Sequence, residues 1–412
     1  MSIILNREEL LQENSELRGK ALDILEAGFQ AINTKKILRN KIRLEDSTLD
    51  IGGNKYDLSS YEKIFFVGIG KCALEGAEVV ENILGDYLTD GIALGVIADS
   101  AEGLIVPKKI RSYVGTHPYP SPQNVEVTKK ILEMVKELTE KDLVITLISG
   151  GGSSLFELPM PGVTLETIIE KTKELTARGA DIYELNEVRK SMSQVKGGKF
   201  ATLCQPAQVV SLIFSDVLGN DISVIASGPT VVELPSPNLG EGLGGEVRVK
   251  NILVSSNIDA LEAMESKAEE LGFGAIIETE RLSGNASEIG KELARREPKP
   301  NTCVLFGGET TVIIKEDHGE GGRNQEMALS ALLSIKPDSI LVCSSSDGFD
   351  NTPHAGAIVD TLLLQKTKEL GINPEEYLEK SDSYNFFKKV GGALYTGKLG
   401  SNVSDLCILI YK

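Results

Sequence analysis

Apolar residues along this chain fall into short runs that alternate with stretches of helical spacing. Residues 63–70 (KIFFVGIG), 142–149 (DLVITLIS) and 208–216 (QVVSLIFSD) are apolar runs bounded by turn residues, a pattern typical of buried strands. Residues 6–40 and 124–138 place apolar side chains three or four positions apart, as amphipathic helices do. Because helices connect successive strands, the pattern predicts a parallel sheet with helices on both faces.

The segment 231–249 interrupts this alternation with several prolines and a cluster of glycines, which is typical of a linker. We therefore predict an N-terminal Rossmann-like α/β domain over residues 1–235, a smaller C-terminal α/β domain over residues 236–412, and a hinge in the linker. Residues 251–257 (NILVSSN) restart the strand pattern in the second domain, and residues 309–317 (ETTVIIKED) predict a hairpin. A hairpin makes the second sheet mixed rather than purely parallel.

The composition is that of a soluble globular protein, since 41% of the 412 residues are hydrophobic and 25% are charged. No run reaches the roughly 18 apolar residues that a membrane span needs. The first residues do not resemble a signal peptide. We therefore expect a cytoplasmic protein that does not use a membrane as partner.

Charge and metal-binding residues exclude further classes of function. The net charge of −17 argues against nucleic acid as a partner, because a phosphate backbone requires a basic face. A small phosphorylated ligand needs only a local cluster of Lys and Arg. The 5 cysteines are far apart and form no CxxC pair, which indicates buried thiols, and the 3 scattered histidines do not favour a zinc site.

Candidate chemistry lies in the loops after strands, because open α/β sheets bind ligands at the carboxyl ends of their strands. In VGIGKCA (67–73), Gly68 and Gly70 allow the backbone to approach an anion, and Lys71 adds a point charge. Tight packing of the turn with a solvated lysine is the alternative. As a dinucleotide fingerprint the motif is incomplete, since the nearest acid, Asp99, lies too far along the chain.

A second loop follows the apolar run VITLI and contains three glycines flanked by serines. Successive N–H groups without obstructing side chains form a nest that binds anions, and the hydroxyls add donors. A merely flexible loop is the alternative reading. The candidate ligands here are Ser149, Gly150, Gly151, Gly152, Ser153 and Ser154.

Two motifs later in the first domain add charged side chains. NEVRKSMSQVKGGKFA (186–201) places Arg189 and Lys196 on a predicted helix that ends at two glycines, where they either bind an anion or form a solvated face. Asp216 emerges from the end of the strand in FSDVLG. Its carboxylate either holds a metal, receives a proton or caps the loop.

The second domain offers a cation and two acids. Arg323 lies at a glycine-flanked helix start in GEGGRNQEMAL, and its planar guanidinium suits phosphoryl oxygens. Asp347 and Asp350 follow a predicted strand, and oxygen ligands of this kind suit Mg²⁺ better than a soft metal. The alternative for the two acids is a role in Asx turns.

Taken in chain order, these motifs resemble the motif series of the two-domain glycerate 2-kinases, whose second domain is called MOFRL. The resemblance covers nearly the whole chain, which makes it specific. The segments that carry it are GIGKCA, SGGGSSLFELPMPGVTL, NEVRKSMSQVKGGKFA, FSDVLGNDISVIASGPT, GGETTV, GGRNQEMAL, SDGFDNTPHAGAIVD and TGKLGSNVSDL.

This resemblance implies an ATP-dependent kinase that phosphorylates the 2-hydroxyl of D-glycerate with Mg²⁺, in a cleft between two α/β domains. Lys71 and Arg323 match the cations that the family places in its active site, and Asn324, in the same motif as Arg323, is expected to bind the nucleotide. Asp216 matches the acid of the family's SDV motif, and Asp347 the acid of its SDG motif.

Within that reading we expect Asp216 to act as the base and Asp347 and Asp350 to bind Mg²⁺. The chain departs from the family pattern at Asn351 and His354. An NAD(P)-dependent hydroxypyruvate reductase is the alternative function, because some relatives have carried that label. The sequence leaves open whether the chain is a monomer or a homodimer, and which loop binds glycerate rather than phosphate.

Overall fold

The described residues form two compact units. The structure is a computed structural model that describes residues 2–11, 16–96, 107–232, 248–297, 299–314 and 317–412. Described residues of the range 34–255 form one unit, here called the parallel-sheet unit. Described residues of the ranges 2–33 and 256–412 form the other, the mixed-sheet unit. Most of the predicted hinge, residues 233–247, lies outside the described residues, so that hinge stays a prediction.

The described helices and strands alternate over most of the chain. The α-helices are α1 (Arg7–Leu10), α2 (Glu16–Ala31), α3 (Thr34–Lys41), α4 (Ala73–Leu84), α5 (Pro122–Met134), α6 (Gly152–Leu155), α7 (Leu165–Ala177), α8 (Ile182–Met192), α9 (Lys199–Leu203), α10 (Asn257–Glu270), α11 (Ala286–Arg295), α12 (Arg323–Leu332), α13 (Thr361–Glu369), α14 (Pro374–Glu379) and α15 (Ser383–Val390). The strands are β1 (Ile42–Glu45), β2 (Thr48–Ile51), β3 (Asn54–Asp57), β4 (Lys63–Ile69), β5 (Asp90–Gly95), β6 (Ile110–Val114), β7 (Asp142–Ile148), β8 (Gln208–Phe214), β9 (Val249–Ser255), β10 (Gly274–Leu282), β11 (Thr302–Gly308), β12 (Ser339–Ser345), β13 (Gly356–Asp360), β14 (Ala393–Leu394) and β15 (Asp405–Tyr411).

The parallel-sheet unit confirms the predicted α/β sheet. Six strands lie in the order β6-β5-β4-β7-β8-β9, and all pairs are parallel. Every residue of β7 is buried, as expected for a strand covered on both faces. The chain runs outward from β4 through β5 to β6, and then returns to add β7, β8 and β9 on the other side of β4. The strand order therefore reverses between β4 and β7, which is where doubly wound sheets bind ligands.

Strand β9 lies on a different sheet from the one we predicted. It pairs with β8 in parallel, with Val209 opposite Val249, and so completes the first sheet instead of opening the second domain. As an edge strand it is only partly buried, and a short apolar stretch after a linker does not show on which side of the boundary it belongs. The first sheet thus continues beyond residue 235.

A three-stranded antiparallel sheet of β1, β2 and β3 precedes β4 and was not predicted. Its strands have four residues each and alternate polar with apolar positions, so a single apolar stripe is all that marks them. Leu49 and Ile51 of β2 are buried. Short amphipathic strands of this kind carry a weak sequence signal.

The mixed-sheet unit confirms the predicted mixed sheet, although the predicted hairpin is absent from its described residues. Its strand order is β10-β11-β15-β12-β13-β14, with β10 and β11 parallel and the other pairs antiparallel. Thr311 makes one isolated bridge to Asn285, and Ile313 is largely exposed. The mixed character comes instead from β15, which lies between β11 and β12 and antiparallel to both.

Residues 2–33 pack with the mixed-sheet unit, whereas the predicted domain 1–235 includes them. Helix α2 packs against α10 so closely that a Cβ at Gly28 would lie 2.7 Å from the sulfur of Met264. Arg18 and Asp360 form a buried ion pair with Nε–Oδ2 at 2.6 Å. Met264 and Asp360 are both far from residues 2–33 in sequence, so helical spacing alone did not reveal this association.

Two large apolar cores support the units. Leu147, Phe156 and Phe200 are among the buried side chains of the parallel-sheet unit, and Phe306, Leu329 and Phe386 are buried in the mixed-sheet unit. All five cysteines are free and buried, which confirms the prediction of buried thiols. Among the described helices, none has the length and apolar character needed to cross a bilayer.

Candidate active site

The turns after β4 and β7 meet at the point where the strand order reverses. The Lys71 N–H donates to the Gly150 carbonyl at 2.9 Å, and the Cys72 N–H donates to the Ser149 hydroxyl at 3.0 Å. Gly70 has φ of +111°, and a Cβ there would lie 2.3 Å from the Ser149 hydroxyl oxygen. Only glycine fits this contact, so the predicted glycine turn and serine-glycine loop form one structure. We call residues 70–71 and 149–154 the cradle.

The cradle presents backbone donors. Gly151 has φ of +82° and follows Gly150 directly. Among the described residues, the N–H groups of Gly150 and Gly151 find no backbone acceptor. A Cβ on Gly151 would lie 3.2 Å from the ring of His117 and 3.5 Å from the side chain of Lys71. Two adjacent N–H groups without a backbone acceptor thus lie beside the stem of Lys71 and the ring of His117, which favours an anion-binding nest.

The serines after the glycines are held by a second loop. The Ser153 hydroxyl lies 2.9 Å from the Ser227 hydroxyl, and Ser227 in turn donates to Oδ1 of the buried Asn186 at 2.7 Å. A Cβ on Gly152 would lie 2.5 Å from the Cβ of Ala226. Glycine at 152 thus lets the two loops pack directly. The motifs around residues 186 and 227 support the cradle rather than extend it.

Asp216 lies just beyond β8, the neighbour of β7, and is half-buried. The N–H of Ser215 donates to the Ser255 carbonyl at 2.8 Å, which ties this strand end to β9.

Gly68 lies inside β4 and opposite Leu147 of β7, where it serves close packing. Gly70 rather than Gly68 therefore shapes the turn.

Lys196 is fully buried, whereas the sequence predicted that it binds an anion or lies on a solvated face. Its ammonium group bonds to the buried carboxylate of Glu157 and donates to the Phe156 carbonyl at 3.0 Å. Burial lowers the pKa of Lys196, and Glu157 opposes that shift. Arg189 is half-buried, and its pKa is likewise lowered by burial against the opposing charge of Glu157. Lys196 therefore serves the interior of the unit.

In the mixed-sheet unit, Arg323 is the first residue of α12 and is held by two carboxylates. Its Nε and Nη2 donate to Asp405 at 2.6 and 3.0 Å, and its Nη1 lies 2.7 Å from Glu309. Burial alone would lower the pKa of Arg323, but Asp405 and Glu309 outweigh it and raise that pKa further above its usual range. The guanidinium is permanently charged. We call Arg323, Glu309, Asp405 and Asp350 the arginine cluster.

Asp350 caps α12, which differs from its predicted role as a metal ligand. Its Oδ1 accepts from the backbone and side-chain N–H groups of Asn324 at 3.2 and 3.3 Å. Its Oδ2 accepts from the corresponding groups of Gln325 at 2.9 and 3.2 Å. Burial first, and Asp405 second, raise the pKa of Asp350 to about 6. With both oxygens occupied in the interior, Asp350 does not suit a cation. The backbone and side-chain N–H groups of the predicted nucleotide ligand Asn324 are engaged in the same cap.

Asp347 fits a cation better than Asp350 does. It is half-buried, and its Oδ1 accepts from the Ser345 hydroxyl at 2.7 Å and from the Phe349 N–H at 3.1 Å, the arrangement of an Asx turn. No group of three or more His, Cys, Asp or Glu side chains within the described ranges has the arrangement of a metal site. Mg²⁺ commonly binds through one or two carboxylates and substrate phosphates, so Asp347 suits that mode.

Glu326 adds an acid that the sequence analysis did not select. It lies one turn after Arg323 on α12, is buried, and lines a cavity of about 530 Å³ with Gly321, Gly322 and Tyr384. Burial raises the pKa of Glu326 to about 7, against the hydrogen bond from Ser381 and with the help of Asp350. This carboxyl changes protonation near neutral pH.

Sequence reasoning also missed Glu309, Asp405 and Glu157. All three lie in motifs that carried the family resemblance, in GGETTV, SNVSDL and SLFELP. A buried cation requires an acid nearby, so the cations in these motifs could have indicated that acids of the same motif series pair with them. What the sequence does not reveal is which acid pairs with which cation, since Arg323 and Asp405 lie on different elements.

Comparison with known proteins supports the resemblance. Residues 20–238 match a domain family of unknown function, DUF4147, and residues 302–405 match the MOFRL family. The glycerate 2-kinase of Pyrococcus horikoshii is 36% identical over 95% of this chain and 98% of its own. The chain belongs to the two-domain MOFRL glycerate 2-kinase family.

Other members extend that likeness to structure. The D-glycerate 2-kinase of Thermotoga maritima is 39% identical over 84% of this chain and 90% of its own. A crystal structure of glycerate kinase from that organism superposes with a TM-score of 0.81 at 34% identity, covering 96% of this chain and 99% of that one. These relatives are named kinases, and nothing found supports the alternative of a hydroxypyruvate reductase.

Proposed function

We propose that this protein is an ATP-dependent glycerate 2-kinase, which transfers the γ-phosphoryl group of ATP to the 2-hydroxyl of D-glycerate. The observation that carries this proposal is the match to glycerate 2-kinases along nearly the whole chain. The cradle and Arg323 supply the anion-directed donors that such a reaction needs. ATP and D-glycerate are the proposed small-molecule substrates, while a cytoplasmic location and the lack of a nucleic acid partner stay predictions.

Phosphoryl transfer requires mainly positioning and neutralisation of charge, with little covalent chemistry by the protein. The N–H groups of Gly150 and Gly151 are fixed before a ligand binds, because the turns of β4 and β7 hold each other. Donors fixed in this way do not have to reorganise during the reaction. We assign them, together with Lys71, to an anionic group of glycerate or of the nucleotide.

Arg323 is assigned to charge that develops on the transferring phosphoryl group. Its guanidinium is held from behind by the buried Asp405, so its orientation does not depend on the substrate. A planar, fixed arginine suits phosphoryl oxygens better than a lysine does.

Asp216 is the proposed base for the 2-hydroxyl, since it lies at a strand end of the cradle's sheet and is half-buried. Mg²⁺, when bound with the nucleotide, would neutralise phosphate charge, and Asp347 is the carboxylate whose surroundings fit it.

An assay with purified protein, D-glycerate, ATP and Mg²⁺, coupled through enolase without phosphoglycerate mutase, tests the proposal. A signal is expected, because enolase acts on the 2-phosphate directly. ATP consumption without signal would indicate a kinase of another regiochemistry or substrate. If ATP stays intact while hydroxypyruvate oxidises NADH, the proposal is wrong.

A further inference from the structure

The guanidinium of Arg323 has one side covered by a buried acid and another side occupied by an exposed acid. Asp405 takes Nε and Nη2, the pair of nitrogens along one edge of the planar group. Glu309 lies on Nη1 at 2.7 Å. A ligand that binds with two oxygens must therefore use the edge between Nη1 and Nη2, because a guanidinium offers its donors in a fixed fork. Glu309 occupies one of these two nitrogens.

The two acids differ in how easily they can be displaced. The Asp405 side chain is 5% exposed, whereas that of Glu309 is 45% exposed and that of Arg323 30%. Asp405 is the first residue of β15 and pairs with Gly308 on one side and Ser345 on the other, in the middle of the sheet. Glu309 follows the end of β11, beside the solvent. Glu309 can therefore be displaced by a change of side-chain position at the surface, whereas displacing the buried Asp405 requires opening the sheet.

Local charge also opposes ligand binding in the arrangement observed. Asp405, Glu309 and Asp350 all act electrostatically on Arg323. A carboxylate or phosphoryl ligand that approached the guanidinium with Glu309 in place would meet an excess of negative charge. Like charges brought together in a partly buried site oppose one another strongly.

We propose that Asp405 is the positioning residue that fixes Arg323, and that Glu309 is an internal substitute for the anionic substrate, which leaves Nη1 when that substrate binds. The identity of the substrate in this inference rests on the proposed function. The competition between Glu309 and an anion for Arg323 does not depend on it. Arg323 remains paired in the empty enzyme and exchanges one carboxylate for a phosphoryl or carboxylate oxygen during binding. Glu309 thereby sets the affinity at which the exchange occurs.

The two roles predict opposite effects of two isosteric substitutions. Glu309→Gln removes the competing charge, so KM for one anionic substrate falls about 3- to 10-fold with kcat little changed. Asp405→Asn removes the charge that orients Arg323, so kcat falls about 10- to 100-fold and KM rises. Glu278→Gln is the matched control, because Glu278 is 42% exposed and pairs with Arg296 at 2.6 Å in the same unit. Its KM and kcat should equal those of the unaltered enzyme.

Steady-state kinetics with D-glycerate and MgATP, and calorimetric titration with ATP, D-glycerate and inorganic phosphate, measure these effects. A higher KM or weaker binding in Glu309→Gln would show that Glu309 binds the ligand, which overturns the proposal. Unchanged kcat and KM in Asp405→Asn would overturn the positioning role. If Asp405→Asn does not fold, Asp405→Glu, which keeps the charge, takes its place in the test of the positioning role. Glu309→Gln changes an exposed side chain and still tests the competition.

Failure of the kinase assignment can be told apart from failure of this inference. If the unaltered protein does not turn over D-glycerate and ATP but Glu309→Gln still tightens the calorimetric binding of ATP or phosphate, the substrate is different and the competition stands. If the unaltered protein binds none of the three anions, Arg323 is not an anion site and the inference is wrong.

Discussion

The cradle of the parallel-sheet unit and the arginine cluster of the mixed-sheet unit both present donors to an anion, but they are built differently. The cradle relies on backbone N–H groups fixed by steric fit between two turns, as the contact of Gly70 with Ser149 shows. The arginine cluster relies on one side chain whose charge is balanced by acids. The cradle should therefore fail through changes of shape, whereas the arginine cluster should fail through changes of charge or of donor geometry.

The largest effect is expected from Arg323→Lys. Lysine keeps the charge but loses the fork that bonds to Asp405 at one edge and to a ligand at another, so kcat should fall about 10³-fold. The enolase-coupled assay measures it. Arg296→Lys is the control, because Arg296 is also about one third exposed, at 31%, and pairs with Glu278. Similar activity in Arg323→Lys and the control would remove Arg323 from the reaction.

A steric change in the cradle should come next. Gly70→Ala introduces a Cβ that would lie 2.3 Å from the Ser149 hydroxyl, so the turns must separate and kcat/KM should fall about 100-fold. Steady-state kinetics measure the loss, and circular dichroism checks that the fold persists.

Gly53→Ala is the matched control for that substitution. Gly53 has φ of +84°, but a Cβ added there would have no heavy atom within 4 Å, so it tests backbone strain without the clash. Its activity should remain normal. Equal losses in both variants would mean that strain, not the contact between the turns, determines activity.

A third prediction concerns stability and separates Lys196 from the ligand-binding residues. Lys196→Met leaves Glu157 buried without its ammonium partner, which should lower the free energy of unfolding by about 3–5 kcal/mol. KM of the surviving folded protein should be unchanged. The exposed pair Lys141–Glu62 is the control, and Lys141→Met should leave the chemical denaturation curve almost unchanged, because solvent screens that pair. A raised KM in Lys196→Met without a loss of stability would restore its predicted ligand role.

The smallest effect is a pH dependence of stability that originates at Glu326. Its pKa is raised from 4.5 to about 7, so the folded protein binds more protons than the unfolded chain between these values. The free energy of unfolding should therefore fall as pH rises through this window, by at most about 1.4 kcal/mol per pH unit from this group. Glu326→Gln should flatten the curve measured by urea unfolding from pH 4.5 to 7. Identical slopes in both proteins would contradict this assignment.

The parallel-sheet unit was largely predictable because its signals are local. Each long strand is an apolar run, and the loops after β4 and β7 contain the glycines that their geometry requires. Strand β9 was misassigned because a partly buried edge strand after a linker carries no signal of the sheet it joins.

The arginine cluster was less predictable, because it depends on long-range antiparallel pairing. Arg323 was selected from its glycine-flanked motif, but its partner Asp405 begins a strand near the end of the chain. Only the antiparallel insertion of β15 between β11 and β12 brings that residue to the edge where β11 and β12 end. Lys196 was misassigned for a related reason. A lysine in a motif carries the same sequence signal whether it contacts a ligand or a buried glutamate.

The mixed-sheet unit is formed by two separate stretches of the chain, which affects the order in which the protein folds during translation. Residues 2–33 leave the ribosome before residues 34–255, yet the helix α10 and the acid Asp360 against which they pack are translated only after residues 34–255. We expect the parallel-sheet unit to complete its fold during translation, while the apolar face of α2 stays exposed until α10 is made. Because β15 is made after the other described strands of its sheet but lies between β11 and β12, a nascent chain stalled before residue 405 lacks both the centre of that sheet and the carboxylate that holds Arg323.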